Sequence, residues 1–219
     1  MTEEAKRIAV IGSAIGGGAA QIIDALRGTD RIATAVFDKD ERAQGQTIFG
    51  APVVGASDMP TLRQHFDAGL FDAAVIAIGG DLKERERIFH ALEQAQIPTT
   101  NVIDPTAQLR SGVKIGTGNV LLGGVYLGPG VEIGDNCYII SYAGIQHDSR
   151  IGDHSYFSTG AMLAGRVIVG ARVRFDTRSG ARANLAIGDD CVIGAGCVLT
   201  QDLPAGHRAE AAAPVVASL

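Results

Sequence analysis

The dipeptide His147-Asp148 is the first feature of this chain that could do chemistry. A carboxylate beside an imidazole can bond one ring nitrogen, fix the tautomer and leave the other nitrogen as a base. Of the five histidines, His65 and His90 read as ordinary surface residues and His207 as part of a tail, which leaves His147 and His154. Downstream, Arg166, Arg172, Arg174, Arg178 and Arg182 face a single acid, Asp176, within residues 166–182. Such a cluster in an otherwise acidic chain suits a polyanionic ligand, or forms a solvated basic edge. Near the start, Gly12, Gly16 and Gly17 lie in a glycine loop that is either an anion site at a helix N-terminus or a tight strand-to-helix turn. Asp38 closes the next apolar run and could accept hydrogen bonds from a sugar or base, or stand as a solvated loop carboxylate.

The elements that must position these residues divide the chain into residues 1–102, residues 103–204 and a tail, 205–219. In the first part, strands are expected at Ile8–Ile11, Ala33–Phe37, Ala73–Ile78 and around Thr99–Ile103, with helices at Ala19–Arg27 and Leu82–Gln94. Alternating strands and helices predict a small parallel α/β, Rossmann-like sheet whose ligands bind at the carboxyl ends of the strands. The dinucleotide fingerprint G-x-G-x-x-G is not met. Counted from Gly12 it meets Ala14, and counted from Gly16 it meets Gln21.

From Ile103 the chain has a period of six. Seventeen positions, from 103 to 199 in steps of six, are Ile, Leu, Val or Phe with the single exception of Ala181. A smaller residue stands four places after most of them, and glycine often follows the large one directly, as in Ile115-Gly116 and Leu127-Gly128. That period is neither helical nor that of a simple strand, and it matches the hexapeptide β-helix. Three hexads close one triangular coil, with the large residue inward and glycine expected to give the corner its backbone freedom. Cys137, Cys191 and Cys197 fall on the small inward position and read as buried hydrophobes. With one coil spanning eighteen residues, Gly165, Ala183 and Gln201 stack in turn above His147, and Arg182 lies beside that corner. The column carries no large side chain directly above the histidine and so opens a groove. A metal site of coil histidines would need three; only two exist, seven residues apart, so no metal is expected.

Composition agrees with a folded chain. Glycine makes up 29 of 219 residues, yet there is no Gly-X-Y run, 46% of the chain is apolar and 20% is charged. A net charge of −5 and a pI near 5.5 argue against nucleic acid as a partner. No apolar run reaches transmembrane length and the start, MTEEAKRIAV, lacks a signal-peptide core, so a cytoplasmic protein with no membrane association is expected. Three cysteines fit a reducing compartment.

Taken together, Ile11-Gly12, Gly16-Gly17, Asp38 and Ile76-Ala77-Ile78-Gly79 in the first part, with Ile145-Gln146-His147-Asp148 and Gly160-Ala161-Met162-Leu163-Ala164-Gly165 in the second, resemble the bacterial sugar O- and N-acyltransferases of the hexapeptide-repeat superfamily. The resemblance extends over nearly the whole chain. It implies a left-handed β-helix, a homotrimer with sites between subunits, acetyl-CoA along the helix, and a nucleotide-linked sugar held by the N-terminal domain through Gly12, Gly16, Gly17 and Asp38. His147 would be the general base and Asp148 its orienting acid. Gly165, Arg182 and Ala183 would meet the coenzyme, the Gly165 N–H contacting the thioester oxygen. The expected reaction is direct acetyl transfer to the amino group of a nucleotide-linked amino sugar. The alternatives are O-acetylation of a sugar hydroxyl, or a non-catalytic ligand-binding or scaffold β-helix. The chain departs from the family at Gly18 and Tyr156, where relatives carry histidines, at Phe175-Asp176-Thr177-Arg178, and at Ala212-Ala213-Pro214-Val215-Val216 near the end.

Overall fold

The structure is a computed structural model that describes residues 6–12, 14–15 and 17–212. The first part holds β1 (Lys6–Ile11), α1 (Gly18–Ala25), β2 (Arg31–Phe37), β3 (Thr47–Ile48), β4 (Ala51–Gly55), α2 (Met59–Asp67), β5 (Ala73–Ile76) and α3 (Leu82–Gln94). The sheet order is β3-β4-β2-β1-β5, with β1 parallel to both β2 and β5. The last four residues of β1 are buried, as expected for a central strand covered on both faces. Asp58 caps α2 by accepting the Thr61 N–H, and Asp81 caps α3 by accepting the Glu84 N–H.

Three features depart from the expected elements. The β3–β4 hairpin and α2 were not anticipated, because Pro52 breaks the alternation of β4 and the α2 sequence has few apolar residues to mark a period. The hairpin turns through Phe49 and Gly50, both at positive φ, which matches the right-handed twist of the strands it joins. β5 stops at Ile76, although Ala77 still donates to Ile11 O at 2.8 Å. The segment Thr99–Ile103 is not one strand. Thr99 bridges Ala74 at the edge of the α/β sheet, whereas Val102–Ile103 pairs with Val120–Leu121 and starts the next architecture.

That architecture is a left-handed parallel β-helix. A two-residue strand recurs every six residues from Val102–Ile103 to Val198–Leu199, the inward apolar residue always second and large except at Ala181. The strands stack into three parallel sheets of five, six and seven strands, one per side of the prism. Leu121, Leu127, Ile139, Ile145, Phe157, Leu163 and Phe175 are completely buried, each contributing about 1.5–3 kcal/mol by leaving water. Phe157 and Phe175 stack inside with centroids 4.6 Å apart. Cys137, Cys191 and Cys197 are free and buried among these residues. The seven-stranded sheet ends with Arg208–Ala209, paired with Val192–Ile193, so part of the stretch 205–219 extends the helix. Among the described residues no helix is long and apolar enough to cross a membrane.

The corners correct one expectation. From Gly112 to Gly196 positive φ recurs every six residues, at the third residue after the inward one, as at Gly130, Asn136, Tyr142, Asp148 and His154, and not at the glycine that follows the large residue directly. Those glycines serve close stacking instead. A Cβ on Gly128 would stand 2.7 Å from His147 N, and one on Gly152 would stand 2.7 Å from Ala171 N. Coils at strand spacing leave no room for a side chain at that point.

The two parts meet around a buried cation. Arg85 on α3 is completely buried and has no carboxylate partner among the described residues. It donates to Ile76 O at 2.6 Å and Ile78 O at 3.1 Å on the α/β side, and to Asn136 O at 2.7 Å and Gly118 O at 3.2 Å on the coils. Burial pulls its pKa down to about 10. Tyr138 lies beneath it, 5.2 Å from guanidinium carbon to ring centroid, and stacks on Tyr156.

Candidate active site

His147 follows the strand Gly144–Ile145, whose buried isoleucine fixes the corner from inside. Asp148 takes the positive-φ position (φ 58°), its N–H donating to Pro129 O on the preceding coil. In that conformation its carboxylate turns back toward the imidazole, with Asp148 Oδ2 2.9 Å from His147 Nδ1. A proton on Nδ1 satisfies this contact and leaves a lone pair on Nε2. Both side chains are exposed.

The imidazole lies along the next coil. The edge bearing Nε2 faces Gly165, and any Cβ on that glycine would overlap it. Above Gly165 come Ala183 and Gln201. Among the described residues, the backbone N–H groups of Gly165 and Ala183 donate no hydrogen bond. Another corner of the prism shows the contrast. There the equivalent N–H groups of Thr117, Asp135 and Ala171 are capped by the carboxylates of Asp135, Asp153 and Asp189 one coil above. The corner that carries His147 therefore keeps donors open one and two coils above it, where they could receive an oxyanion.

The structure separates the five arginines. Arg166 donates to Asn184 Oδ1 at 2.7 Å, Arg172 is paired with Asp190 and Glu86, and Arg174 with Asp176 and Gly80 O. The side chains of Arg178 and Arg182 make no hydrogen bond or ion pair among the described residues, although their backbone N–H groups donate to Thr159 O and Leu199 O. Both line a groove of about 410 Å³ with Gln146, Met162, Ala164 and Gly180, on the face of the sheet beside His147. Arg178 was one of a cluster in the sequence; only the structure distinguishes it from its paired neighbours.

A second cavity, also about 410 Å³, lies at the carboxyl ends of β1, β2 and β5 and is lined by Gly12, Asp38, Lys39, Ser57, Gly79 and Glu84 among others. Gly12 has positive φ, and a Cβ there would stand 2.8 Å from Ile78 Cγ1. Asp38 is neither solvated nor free. It is buried, with Oδ2 accepting the Ala14 N–H at 2.6 Å and Oδ1 the Asp40 N–H at 2.9 Å, so it organises the two loops that rim the cavity. Gly17 is the N-cap of α1, which has no side-chain cap and no acid in its first turn. Gly16 lies outside the described residues, as does most of the Ala212–Val216 stretch. Lys39 and Ser57 were not legible in sequence, since Ser57 sits in a loop after the unforeseen β4. Tyr156 packs toward Gly79 at the junction of the two parts.

Comparison with known proteins agrees with this fold. The bacterial transferase hexapeptide model (six repeats) matches residues 130–165, the segment that runs through His147 to Gly165. A variant of GDP-perosamine N-acetyl transferase from Caulobacter crescentus, in complex with CoA and GDP-perosamine, is 28% identical with a TM-score of 0.85, over 93% of each chain. PerB from the same organism, with the same ligands, is 29% identical with a TM-score of 0.84, over 93% of each chain. The acetyltransferase domain of PglB from Neisseria gonorrhoeae, in complex with acetyl coenzyme A, shares the fold at 24% identity and a TM-score of 0.83, over 94% of this chain and 96% of that one. A search of curated protein sequences finds no match. The fold and its repeat define an acyltransferase of the hexapeptide-repeat superfamily. The arrangement of a β-helix preceded by a small α/β domain is shared with the Caulobacter and Neisseria proteins over nearly the whole of each chain.

Proposed function

We propose that this protein transfers the acetyl group of acetyl-CoA to the amino group of a nucleotide-linked amino sugar. The observation that carries the reading is the His147–Asp148 pair at 2.9 Å with the Nε2 edge facing the uncapped column of Gly165 and Ala183. The amine attacks the thioester carbon, forming the C–N bond, as its proton passes to His147 Nε2. The C–S bond then breaks and coenzyme A leaves as thiolate, which takes up a proton. Asp148 stabilises the imidazolium, and the Gly165 N–H donates to the oxygen that gains charge. Arg178 and Arg182, unpaired and beside the groove, meet the coenzyme's phosphates. The cavity of Gly12 and Asp38, with Gly17 at the uncapped start of α1, takes the nucleotide sugar.

A homotrimer belongs to the same reading. Met162 and Val198, exposed on one sheet, and Tyr142 at its edge give that face the apolar surface a partner subunit would cover.

The test is incubation of the full chain with acetyl-CoA and a panel of GDP-, UDP- and dTDP-linked amino sugars, followed by mass spectrometry. A product one acetyl group heavier that survives hydroxylamine is an amide and supports N-transfer; a hydroxylamine-labile product is an ester and indicates O-transfer. His147→Ala should lower the rate by about 10²–10⁴-fold while leaving coenzyme binding intact. An undiminished rate in that variant removes His147 as the base.

A further inference from the structure

Glu86 and His90 are one turn apart on α3 and share a face, and His154 approaches that face from a corner of the β-helix. One potential ligand atom from each of the three lies within 4.8 Å of the others. Three ligands of a tetrahedral zinc ion stand about 3.4 Å apart, so a small side-chain closure suffices. The two imidazoles meet edge to face, with centroids 5.4 Å apart at 73°.

Each histidine is already held through its other nitrogen. His90 Nδ1 lies 2.7 Å from Glu93 Oε2, the carboxylate support that orients metal-binding imidazoles. His154 has only 6% of its side chain exposed, and its Nε2 points to Glu86 Oε1 at 3.9 Å, beyond hydrogen-bond reach. Its Nδ1 is 2.9 Å from the side-chain amide of Asn136. The Asn136 Oδ1 is buried without a partner, and turning the amide over gives that oxygen the Nδ1–H of His154 and leaves the Nε2 lone pair free, in exchange for the 3.3 Å bond from Asn136 Nδ2 to Arg85 O. Glu86 Oε1 also accepts from Arg172 Nη1 at 3.0 Å, but Asp190 takes two other N–H groups of Arg172, at 2.8 and 2.9 Å. Arg172 therefore keeps a carboxylate when Glu86 turns to an ion.

We propose that Glu86, His90 and His154 form a site for a divalent transition-metal ion, zinc in the first instance, that clips α3 to the β-helix away from His147. Two imidazoles and one carboxylate, with a water in the fourth position, form a zinc donor set, whereas magnesium and calcium take oxygen ligands.

The experiment titrates the EDTA-stripped full chain with zinc chloride and with cobalt chloride, following heat of binding, thermal unfolding and visible absorption. The expected result is one ion per chain, a raised Tm with zinc and none with magnesium, and the absorption of tetrahedral cobalt. His90→Ala, at an exposed helix position, and Glu86→Gln should fold like the parent and weaken zinc binding about tenfold or more. His154→Ala, checked for fold by circular dichroism, should do the same. Absence of stoichiometric binding overturns the proposal, and so does unchanged affinity in both His90→Ala and Glu86→Gln, which would place the ion elsewhere.

Discussion

Gly165 and His147 are packed so closely that a Cβ on the glycine would stand 2.6 Å from Cε1 and 2.9 Å from Cδ2 of the imidazole. Only glycine lets the ring lie flat along the next coil with its outer nitrogen beneath an unpaired N–H. Gly165→Ala should therefore push the imidazole aside while the coil core, which the change does not touch, stays folded. An ångström of misplacement costs about 10²-fold in rate. Acetyl-transfer kinetics and the Tm of the variant, measured together, check this outcome: a large loss of kcat with a Tm close to the parent's.

Asp148→Asn keeps the size of the side chain but removes the charge beside Nδ1. The imidazolium loses its stabiliser and the tautomer is no longer fixed, so kcat should fall by about 10–100-fold with little change in the KM for acetyl-CoA. A steady-state comparison with the parent separates the two constants.

Arg85→Met leaves the carbonyls of Ile76, Ile78, Gly118 and Asn136 buried without a donor. Orphaned groups of this kind cost about 1–3 kcal/mol each, and a net loss of about 3 kcal/mol corresponds to a Tm lower by about 6–12 °C. Thermal unfolding followed by calorimetry gives the answer directly.

Cys137 should resist alkylation in the native protein. Burial pushes its thiol up to about 12, so at pH 8 almost no thiolate exists and no reagent reaches the sulfur. Iodoacetamide at pH 8 should leave the peptide containing Cys137 unmodified until denaturant is added. Mass spectrometry of that peptide reads the outcome.

The coils were largely legible in the sequence because a repeat buries the same position in every turn, so Leu121 and Phe175 announce themselves by spacing alone. His147 stood out because the repeat does not account for an outward imidazole followed by an acid. The glycines were harder to interpret. Spacing locates Gly128 but cannot distinguish a residue that turns the chain from one that lets two coils approach, and it is Asp148, not a neighbouring glycine, that carries the left-handed backbone. The α/β part was less legible still. Pro52 and the polar α2 hide two elements, and Asp38 gave no sign in sequence that Ala14 and Asp40 would claim both its oxygens. Pairings such as Arg172 with Asp190, eighteen residues apart, depend on coil geometry, and so did the distinction between occupied and available guanidinium groups.

The guanidinium of Arg85 draws its acceptors from both architectures, and neither set is complete by itself. A β-helix cut away at residue 102 would lose the cation that Gly118 and Asn136 share, and the α/β part alone would carry a charged side chain facing water where it now faces carbonyls. The chain thus reads as two folds stitched into one cooperative unit, which should melt in a single transition. Exchanging its α/β half for another would also require a residue to fill that socket.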